Sequence, residues 1–460
     1  MASNNQIPDI GNNLRRTILL PINNPSDNSY SYEGNNLVQF ALPSTLAMAD
    51  FSTIRLSGSL RFTQNSAMNQ DASGGEWTKI FQNPIAGVNS VFRSVEISSA
   101  SGARASLEKC QNYGQMINTI LPALNSQQDY VTYLQSQTLS SQNIEYGNKF
   151  FIRNASYFKS TADGGDNEAF GVRFSTPVYL GMCLGGAKIP LAQMGGCIFT
   201  FELNSSDAVF VSNQTDSVEK NRIKYELHDL KMEVEMYAPT AEERVALMNQ
   251  KEGSFTCNTM TSLFSVVQSS QANVQFSLGS SDVVAAFFKF CPTNAVNSLV
   301  ADEFQSTRII DTNNKSSQFF RVRFQKNGLE FPLYFPINVV SGSTEAQLNK
   351  YYLQSLKNLH TRNDIRVATT DFTNDVRWSI GADSYPLTTA NIIKGVNKAN
   401  VVYGIGYSFL ADLSGSDFKN QSWQVTLDSN LSDARTNAMY AFILQKTTIA
   451  FNENGVSVIN

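Results

Sequence analysis

Histidine and charged residues are scarce in this chain of 460 residues. Only two histidines occur, so few imidazole groups are available for catalysis or metal binding. Charged residues amount to 16% of the chain, compared with roughly 25% in average soluble domains. The formal net charge is only -4 and no long run of Lys and Arg occurs, which excludes a general attraction to phosphate backbones. We therefore predict no cofactor, no metal ion and no sequence-specific nucleic acid partner.

Cysteine pairs, a secretion signal and long apolar runs are also missing. The five cysteines lie far apart and form no CxxC pair: Cys110, Cys183, Cys197, Cys257 and Cys291. This spacing favours free thiols in a reducing compartment over a disulfide framework or a zinc site. The first residues are polar where a signal peptide would become apolar, and the longest clearly apolar run, 283–288, is far shorter than the ~20 residues of a membrane span. We expect a protein that stays in the cytosol or nucleus until it assembles.

Alternating apolar and polar residues are abundant. Ile54, Leu56 and Leu60 alternate with polar side chains, and the same period of two recurs in 197–203, 230–236, 320–324 and 423–427. Period two indicates strands that place one face on a core. Many such strands between loops rich in Asn, Gly and Ser favour antiparallel sandwiches or barrels. The sequence therefore predicts an all-β fold.

Helical spacing is rare. Leu107, Cys110, Tyr113 and Ile117 recur every three or four residues, and a second set lies in 348–359. We predict one main helix in each half of the chain, inside a long connection.

The chain length and a faint internal repeat indicate two domains. At 460 residues the chain exceeds the roughly 250–300 residues at which a single core stops growing. Three pairs of segments share a pattern at offsets that shrink along the chain: 36–44 with 272–280 (236), 92–93 with 320–321 (228) and 199–203 with 423–427 (224). Such self-similarity predicts one β domain duplicated. We place the domains at 1–240 and 241–460, with a linker near 238–250 that contains the helix-prone segment 240–244.

No segment carries a complete catalytic motif. The glycine-rich segment 181–189 resembles a phosphate-binding loop but lacks the Lys-Ser/Thr pair at the required spacing. Segment 406–410 resembles a nucleophile elbow but ends in Leu410 instead of glycine, which favours a strand. His228 precedes Asp229 in phase with the apolar face of the following strand, so we interpret it as a residue at the rim of a core. We predict that the protein is not an enzyme.

A resemblance to a known family rests on three segments and on the order of the elements. The segments are 91–97 leading to 108–113, the strand at 230–239, and the ending 445–455. Together with the repeated order of strand, loop, strand, helix-bearing connection and strands, they resemble the double jelly-roll major capsid proteins of double-stranded DNA viruses. These occur in adenovirus-like, tectivirus-like, polinton-like, virophage and large nucleocytoplasmic DNA viruses. The size and the ending are most similar to those of polinton-like viruses and virophages.

The resemblance implies a fold and a function. The fold would be two tandem eight-stranded antiparallel jelly rolls with a few short helices in long connections. The function would be that of a structural subunit whose trimers form pseudo-hexameric capsomers of an icosahedral shell. Its partners would be other copies of itself, penton and minor capsid proteins, and an internal membrane as a further candidate. Its location would be the virion, after assembly in the host cytoplasm or nucleus.

Two alternatives remain open from the residues alone. A β-sandwich adhesin, attachment protein or carbohydrate-binding protein would need a secretion signal or an exposed aromatic cluster, and the chain has only three Trp. A carbohydrate-active enzyme with a jelly-roll domain would need a pair of acids in an aromatic cleft, which the sequence does not place.

The N-terminal residues 1–20 form a candidate assembly arm. Ile7, Ile10 and Leu14 have helical spacing next to Arg15 and Arg16, but Pro8 and Gly11 interrupt it. A segment so short and broken does not hold a helix in isolation. We expect it to become ordered by docking its apolar side on the capsomer base or a neighbouring shell component. The alternative is a frayed chain end without a role.

Overall fold

The structure is a computed structural model that describes residues in both halves of the chain. The described residues are 14–23, 29–64, 80–82, 87–101, 104–117, 151–152, 172–184, 188–212, 223–267, 271–292, 319–330, 337–338, 405–408, 417–429 and 437–459. The predicted helix at 348–359 and the candidate arm residues Ile7 and Ile10 lie outside them.

The described part of residues 1–240 consists mainly of strands. They are β1 (Leu14–Leu19), β2 (Ser29–Tyr30), β3 (Leu37–Leu42), β4 (Met48–Gln64), β5 (Ile80–Gln82), β6 (Phe92–Ser99), β7 (Ser106–Gln111), β8 (Phe151–Ile152), β9 (Val172–Pro177), β10 (Lys188–Pro190), β11 (Cys197–Leu203), β12 (Phe210–Ser212) and β13 (Ile223–Tyr237). The helical elements are short: a 3₁₀ helix (Gly87–Val91), a helical turn at 113–117, α1 (Gly181–Leu184) and α2 (Ser206–Val209).

A connecting helix, α3 (Ala241–Asn249), precedes the strands of the second half. It begins with a capping box, in which Thr240 and Glu243 each bind the other's backbone N–H. The following strands are β14 (Gly253–Val267), β15 (Gln271–Ser277), β16 (Val283–Pro292), β17 (Phe319–Lys326), β18 (Leu329–Glu330), β19 (Ile337–Asn338), β20 (Ile405–Ser408), β21 (Ser422–Ser429), β22 (Asn437–Asn452) and β23 (Gly455–Ile459). As predicted, the described part of the segment that resembled a nucleophile elbow, 406–408, lies in a strand, β20.

The two halves have the same sheet topology. In the first half, the sheets run β1-β13-β4-β10 and β3-β11-β6-β7, with β9 beside β10 on β4 and a small extra sheet β12-β5-β8. In the second half, they run β14-β22-β16-β20 and β15-β21-β17-β18. Each half has eight main strands when β2, β5, β8, β12, β19 and β23 are left out and β9 and β10 are counted as one. In this count the first, eighth, third and sixth strands share one sheet, and the second, seventh, fourth and fifth share the other. This arrangement is a jelly roll, and the fold is two tandem jelly rolls, here called barrel 1 and barrel 2.

The internal repeat is confirmed at the level of strand register. In barrel 1, Phe40 pairs with Phe199. In barrel 2, Phe276 pairs with Trp423, so the segments with offsets of 236 and 224 occupy equivalent positions on equivalent strands. Both the strands and their cross-strand partners correspond in the two barrels. The similarity of these segments therefore indicates that both barrels inherited the same strand pairing from one ancestral domain.

The third repeated pair was aligned wrongly by two residues. It lies on the equivalent strands β6 and β17, but Phe92 pairs with Leu203, whereas Leu427, the counterpart of Leu203, pairs with Val322 and not with Phe320. The register shift between Glu202 and Leu203 accounts for one of the two residues, and the sequence alignment itself was off by the other. A bulge changes the register without leaving a clear mark in the sequence.

Large aromatic side chains fill the space between the two sheets of barrel 1. Phe201 is 1% exposed and lies edge-on to Phe40, with ring centroids 6.0 Å apart. Its ring also lies 5.3 Å from that of Phe92. Val425, at the equivalent position in barrel 2, is fully buried. Both residues thus lie on the core face that the alternating segments 197–203 and 423–427 predict for their strands.

The helix predicted from the spacing of Leu107, Cys110, Tyr113 and Ile117 is largely wrong. Leu107 and Cys110 lie in strand β7, and only residues 113–117 of the described segment are helical. Leu107 lies at a register shift of β7 on β6, so it is buried next to Glu108, and from Glu108 to Gln111 buried and exposed residues alternate. The shift breaks the period of two and leaves Leu107 and Cys110 at a spacing typical of a helix.

A bulge also corrects the interpretation of His228. The register of β13 on β4 shifts after His228, and Asp229 has φ 53°. Tyr225 and Leu227 are buried before the bulge and Leu230 after it. His228 consequently lies on the other face, where its Nε2 is 2.9 Å from the Glu226 carboxylate.

The described part of the candidate arm is a strand and not a broken helix. Leu14, Arg15 and Arg16 lie in β1, which pairs antiparallel with β13 from Leu14 opposite Tyr237 onward. The side chain of Arg16 forms an ion pair with Glu233 at 3.3 Å. The segment from Leu14 onward therefore belongs to barrel 1 itself.

Truncation of the central aromatic residue of barrel 1 should be costly. We expect Phe201→Ala to lower the free energy of unfolding by about 3–5 kcal/mol, because it removes a buried ring and leaves a cavity between the sheets. Urea unfolding of the purified protein measures the loss. Phe201→Leu, which keeps most of the apolar volume, is the control and should lose less. A loss below about 1 kcal/mol for the alanine variant would contradict the register described above.

Candidate functional site

The feature with the most unusual chemistry is the junction between the two barrels. Strand β7 and helix α1 of barrel 1 both contact strand β14 of barrel 2. At the centre of this contact lies Glu108, a carboxylate only 4% exposed. A buried acid needs hydrogen-bond donors that replace the water it has lost.

Three backbone N–H groups from two barrels donate to the Glu108 carboxylate. The N–H groups of Gly181 and Met260 each donate to Oε1 at 2.6 Å. The N–H of Met182 donates to Oε2 at 2.9 Å. Gly181 and Met182 are the first residues of α1, whose N–H groups have no partner within the helix. Met260 belongs to β14, so this one side chain binds barrel 1 to barrel 2.

Glycine at position 181 lets the barrels approach closely. A Cβ placed there would lie 2.6 Å from Cα and from the carbonyl carbon of Thr259, both backbone atoms of β14. No other residue fits without a shift of one barrel relative to the other. The glycine that resembled part of a phosphate-binding loop thus serves to place backbone N–H groups on a carboxylate.

Further hydrogen bonds extend the junction on both sides of Glu108. The N–H of Gln111, at the end of β7, donates to Oγ of Ser262 in β14 at 2.9 Å. The side-chain amide of Gln193 donates to the carbonyl of Leu247 in α3 at 3.2 Å. Behind Glu108, the N–H of Tyr179 donates to the buried hydroxyl of Tyr113 at 2.9 Å.

Burial is the main cause of the raised pKa values of the ionisable groups at the junction. Loss of water raises the pKa of Glu108 to about 7, although its three backbone hydrogen bonds act in the opposite direction. The pKa values of three nearby thiols are also raised, chiefly by burial and further by the Glu108 charge: Cys110, Cys183 and Cys257. Thiols with raised pKa values are poor nucleophiles, so the cluster is structural and not reactive.

The described residues offer no alternative chemical centre. They contain no group of three or more His, Cys, Asp or Glu side chains placed to hold a metal ion. No helix among them is long and apolar enough to cross a membrane. The four cysteines whose side chains are described are buried free thiols, as the sequence predicted.

The sequence-predicted site and the observed junction lie at different places. The candidate arm residues Leu14, Arg15 and Arg16 lie on β1 and are exposed. Sequence reasoning missed the junction, although one signal was available. Glu108 and Cys110 are two residues apart in β7 and therefore lie on the same face of the strand. An acid on the apolar face of a strand indicates a buried carboxylate that requires hydrogen-bond donors.

Solved structures share this fold. Neither a protein-family model nor a curated protein matches the chain. The chain superposes on a chain of a quasi-atomic model of the PBCV-1 virus capsid with a TM-score of 0.55 and 11% identity, covering 97% of this chain and 96% of that one. It superposes on the Faustovirus major capsid protein with a TM-score of 0.55 and 9% identity, covering 95% of this chain and 90% of that one. It superposes on a chain of the Sputnik virophage structure with a TM-score of 0.54 and 12% identity, covering 96% of this chain and 88% of that one. The double jelly roll of this chain is thus the fold of these viral proteins.

Adding a methyl group at the junction should destabilise the protein. We expect Gly181→Ala to lower the free energy of unfolding by about 1–3 kcal/mol, because the new Cβ presses on the Thr259 backbone. It should also speed amide hydrogen exchange at Met260. Gly279→Ala is the control, since a Cβ there meets no atom within 4 Å. Equal effects of the two substitutions would contradict a tight junction.

The pH dependence of stability should carry the signature of Glu108. Its pKa of about 7 in the folded protein lies above the ordinary value of 4.5, so the folded state binds this proton more tightly than the unfolded chain. The stabilisation from the bound proton is complete below pH 4.5 and is lost as the pH rises to about 7. The loss should amount to about 3 kcal/mol, and Glu108→Gln should abolish it.

Urea unfolding of the wild type and of Glu108→Gln at several pH values measures this effect. Replacing the carboxyl group by an amide changes the free energy of unfolding by the same amount at every pH. This change therefore does not alter the difference in shape between the two pH profiles. The surrounding thiols and Tyr113 have raised pKa values and do not titrate in this window. Parallel pH profiles for the two proteins would show that Glu108 does not titrate as described.

Proposed function

We propose that the protein is the major capsid protein of a double-stranded DNA virus, a structural subunit without catalytic activity. The observation that carries the proposal is a duplicated jelly roll whose strand order and cross-strand register are the same in both copies. Its fold is also that of the Faustovirus major capsid protein over 95% of this chain. In this reading the function lies in the contacts between subunits and not in a cleft.

Duplication explains how such a subunit builds a shell. Two similar barrels per chain allow three chains to present six barrels, so that a trimer packs like a hexagon while keeping threefold symmetry. The barrels join within the chain through the Glu108 junction, in a contact that uses different surfaces on the two barrels. We propose domains at 1–240 and 241–460, with α3 as the connection.

The finer assignments follow from this role. We propose that the protein resides in the virion and contacts penton and minor capsid proteins at the edges of its capsomers. An internal membrane is a further proposed partner. The weakly charged surface supports contacts between subunits, because few charges must lose water when such surfaces meet.

The size of the purified protein tests the proposal against the alternatives. We expect a stable trimer with three times the 50.8 kDa mass of the chain, measured by light scattering after size exclusion. Electron microscopy of concentrated material should show hexagonal capsomers or shells. A monomer at all concentrations that binds a glycan would contradict the capsid proposal and favour the adhesin or carbohydrate-binding alternative.

Two truncations separate the role of the arm from that of strand β1. Removal of residues 1–13 should leave a folded trimer but impair shell formation, since β1 begins at Leu14. Removal of 1–20 should also lower the free energy of unfolding, because it deletes β1 and uncovers the edge of β13. Thermal unfolding and electron microscopy of both proteins provide the readouts. Normal shells from the shorter truncation would contradict the arm proposal without affecting the fold.

A further inference from the structure

The outward face of strands β4 and β9 in barrel 1 carries arginine and serine side chains. The two strands pair antiparallel, and their core faces hold buried apolar residues such as Leu60 and Phe174. The alternate residues point away from the core, because successive side chains of a strand lie on opposite faces. On β4 from 55 to 61 and on β9 from 173 to 175, these outward residues are Arg55, Ser57, Ser59, Arg61, Arg173 and Ser175.

Ser59 lies in the middle of this face, and its hydroxyl is buried. In the strand register, Ser59 lies between Arg173 on β9 and His228 on β13, and Arg61 follows on the same face of β4. Ser59 is only 7% exposed, and its Oγ has no hydrogen-bond partner within the described part of the chain. A buried hydroxyl without a partner is unfavourable, so a ligand that hydrogen-bonds to it gains free energy on binding.

Arg61 supplies a second buried donor next to Ser59. Its Nε also has no hydrogen-bond partner among the residues that the structure describes. Arg55, on the same face, instead donates to the Oγ and the carbonyl of Ser175. Directly opposite residues of antiparallel strands have Cβ atoms about 4.5–5.5 Å apart, and diagonal neighbours about 7–8 Å apart. The guanidinium groups of Arg61 and Arg173 can therefore reach one small ligand together with the Ser59 hydroxyl.

The acids on the neighbouring strand β13 already have partners. Glu226, opposite Arg61, lies 2.9 Å from Nε2 of His228. Glu233 forms an ion pair with Arg16 at 3.3 Å. Within the described ranges, no acid lies at ion-pair distance from Arg61 or Arg173. Two like charges on one face of a sheet are destabilising, and an anion between them removes this repulsion.

We propose that Ser59, Arg61 and Arg173 bind a small divalent oxyanion, of the kind that inorganic phosphate represents. Guanidinium groups bind phosphate oxygens through paired N–H donors, and the serine hydroxyl supplies a further donor. A dianion balances both arginine charges, whereas a monovalent anion balances only one. Because Ser59 is buried between longer side chains, only a small group reaches its hydroxyl. All three residues belong to barrel 1 of a single chain, so this binding does not require assembly.

Calorimetric titration of the purified full-length protein with sodium phosphate tests the site. We expect one saturable site per chain, and none when sodium chloride of the same ionic strength replaces the phosphate. Arg61→Gln and Arg173→Gln should each weaken phosphate binding by about tenfold or more, because each removes a hydrogen bond between charged groups. Binding that does not saturate would overturn the proposal, as would equal affinity in the wild type and both variants.

Arg93→Gln is the matched control for the loss of charge. It removes the same charge from the other sheet of barrel 1, where Arg93 lies 3.5 Å from Glu202. Its affinity for phosphate should equal that of the wild type, which separates a site from a general effect of net charge. Circular dichroism verifies that the variants fold. An equal loss of affinity in Arg93→Gln and Arg61→Gln would contradict the site.

Thermal unfolding of Ser59→Ala gives a second readout. Without phosphate this variant should be at least as stable as the wild type, because it removes a buried hydroxyl that has no partner. With phosphate its unfolding temperature should rise less than that of the wild type, since it has lost one donor to the ion. Phosphate also stabilises proteins generally through exclusion from their surface. An identical rise in the two proteins would reflect that general effect alone and would overturn the proposal.

Discussion

The burial of one carboxylate constrains how the two barrels are placed. Glu108 is stable in the interior only while N–H groups of α1 and β14 reach it together, since an ionised group without donors would cost several kcal/mol. The three distances fix β14 against β7 and explain why position 181 is glycine. A general apolar contact would hold the barrels together but would tolerate sliding, whereas three directed hydrogen bonds select one arrangement.

The duplicated register shows how two copies of one fold came to differ. Phe40 and Phe199 face each other as Phe276 and Trp423 do, because these residues fill the space between the sheets and any change must keep its volume. The residues at the matching position of β7 and β18 are Glu108 and Leu329, which share no chemistry. Only Glu108 lies in the contact between the barrels, where fixed backbone donors satisfy its carboxylate.

The sequence predicted what depends on local pattern. The all-β class, the two halves and the inward side chains such as Phe201 follow from period two and from repeated segments. It failed at β7, at His228 and in the alignment of Phe92, and in each case a neighbouring strand decides the outcome. The register shifts of β7 on β6, of β13 on β4 and of β6 on β11 depend on pairing between strands and not on local sequence. The Glu108 junction was missed for the same reason, because its donors lie 73 and 152 residues away.

The exposed edges of a jelly roll explain why a shell protein gains from carrying two of them. An outer strand has unpaired backbone groups and invites uncontrolled pairing, so a lone barrel at high concentration is prone to aggregate. Fusion covers two such outer strands, β7 of barrel 1 and β14 of barrel 2, permanently through the Glu108 junction.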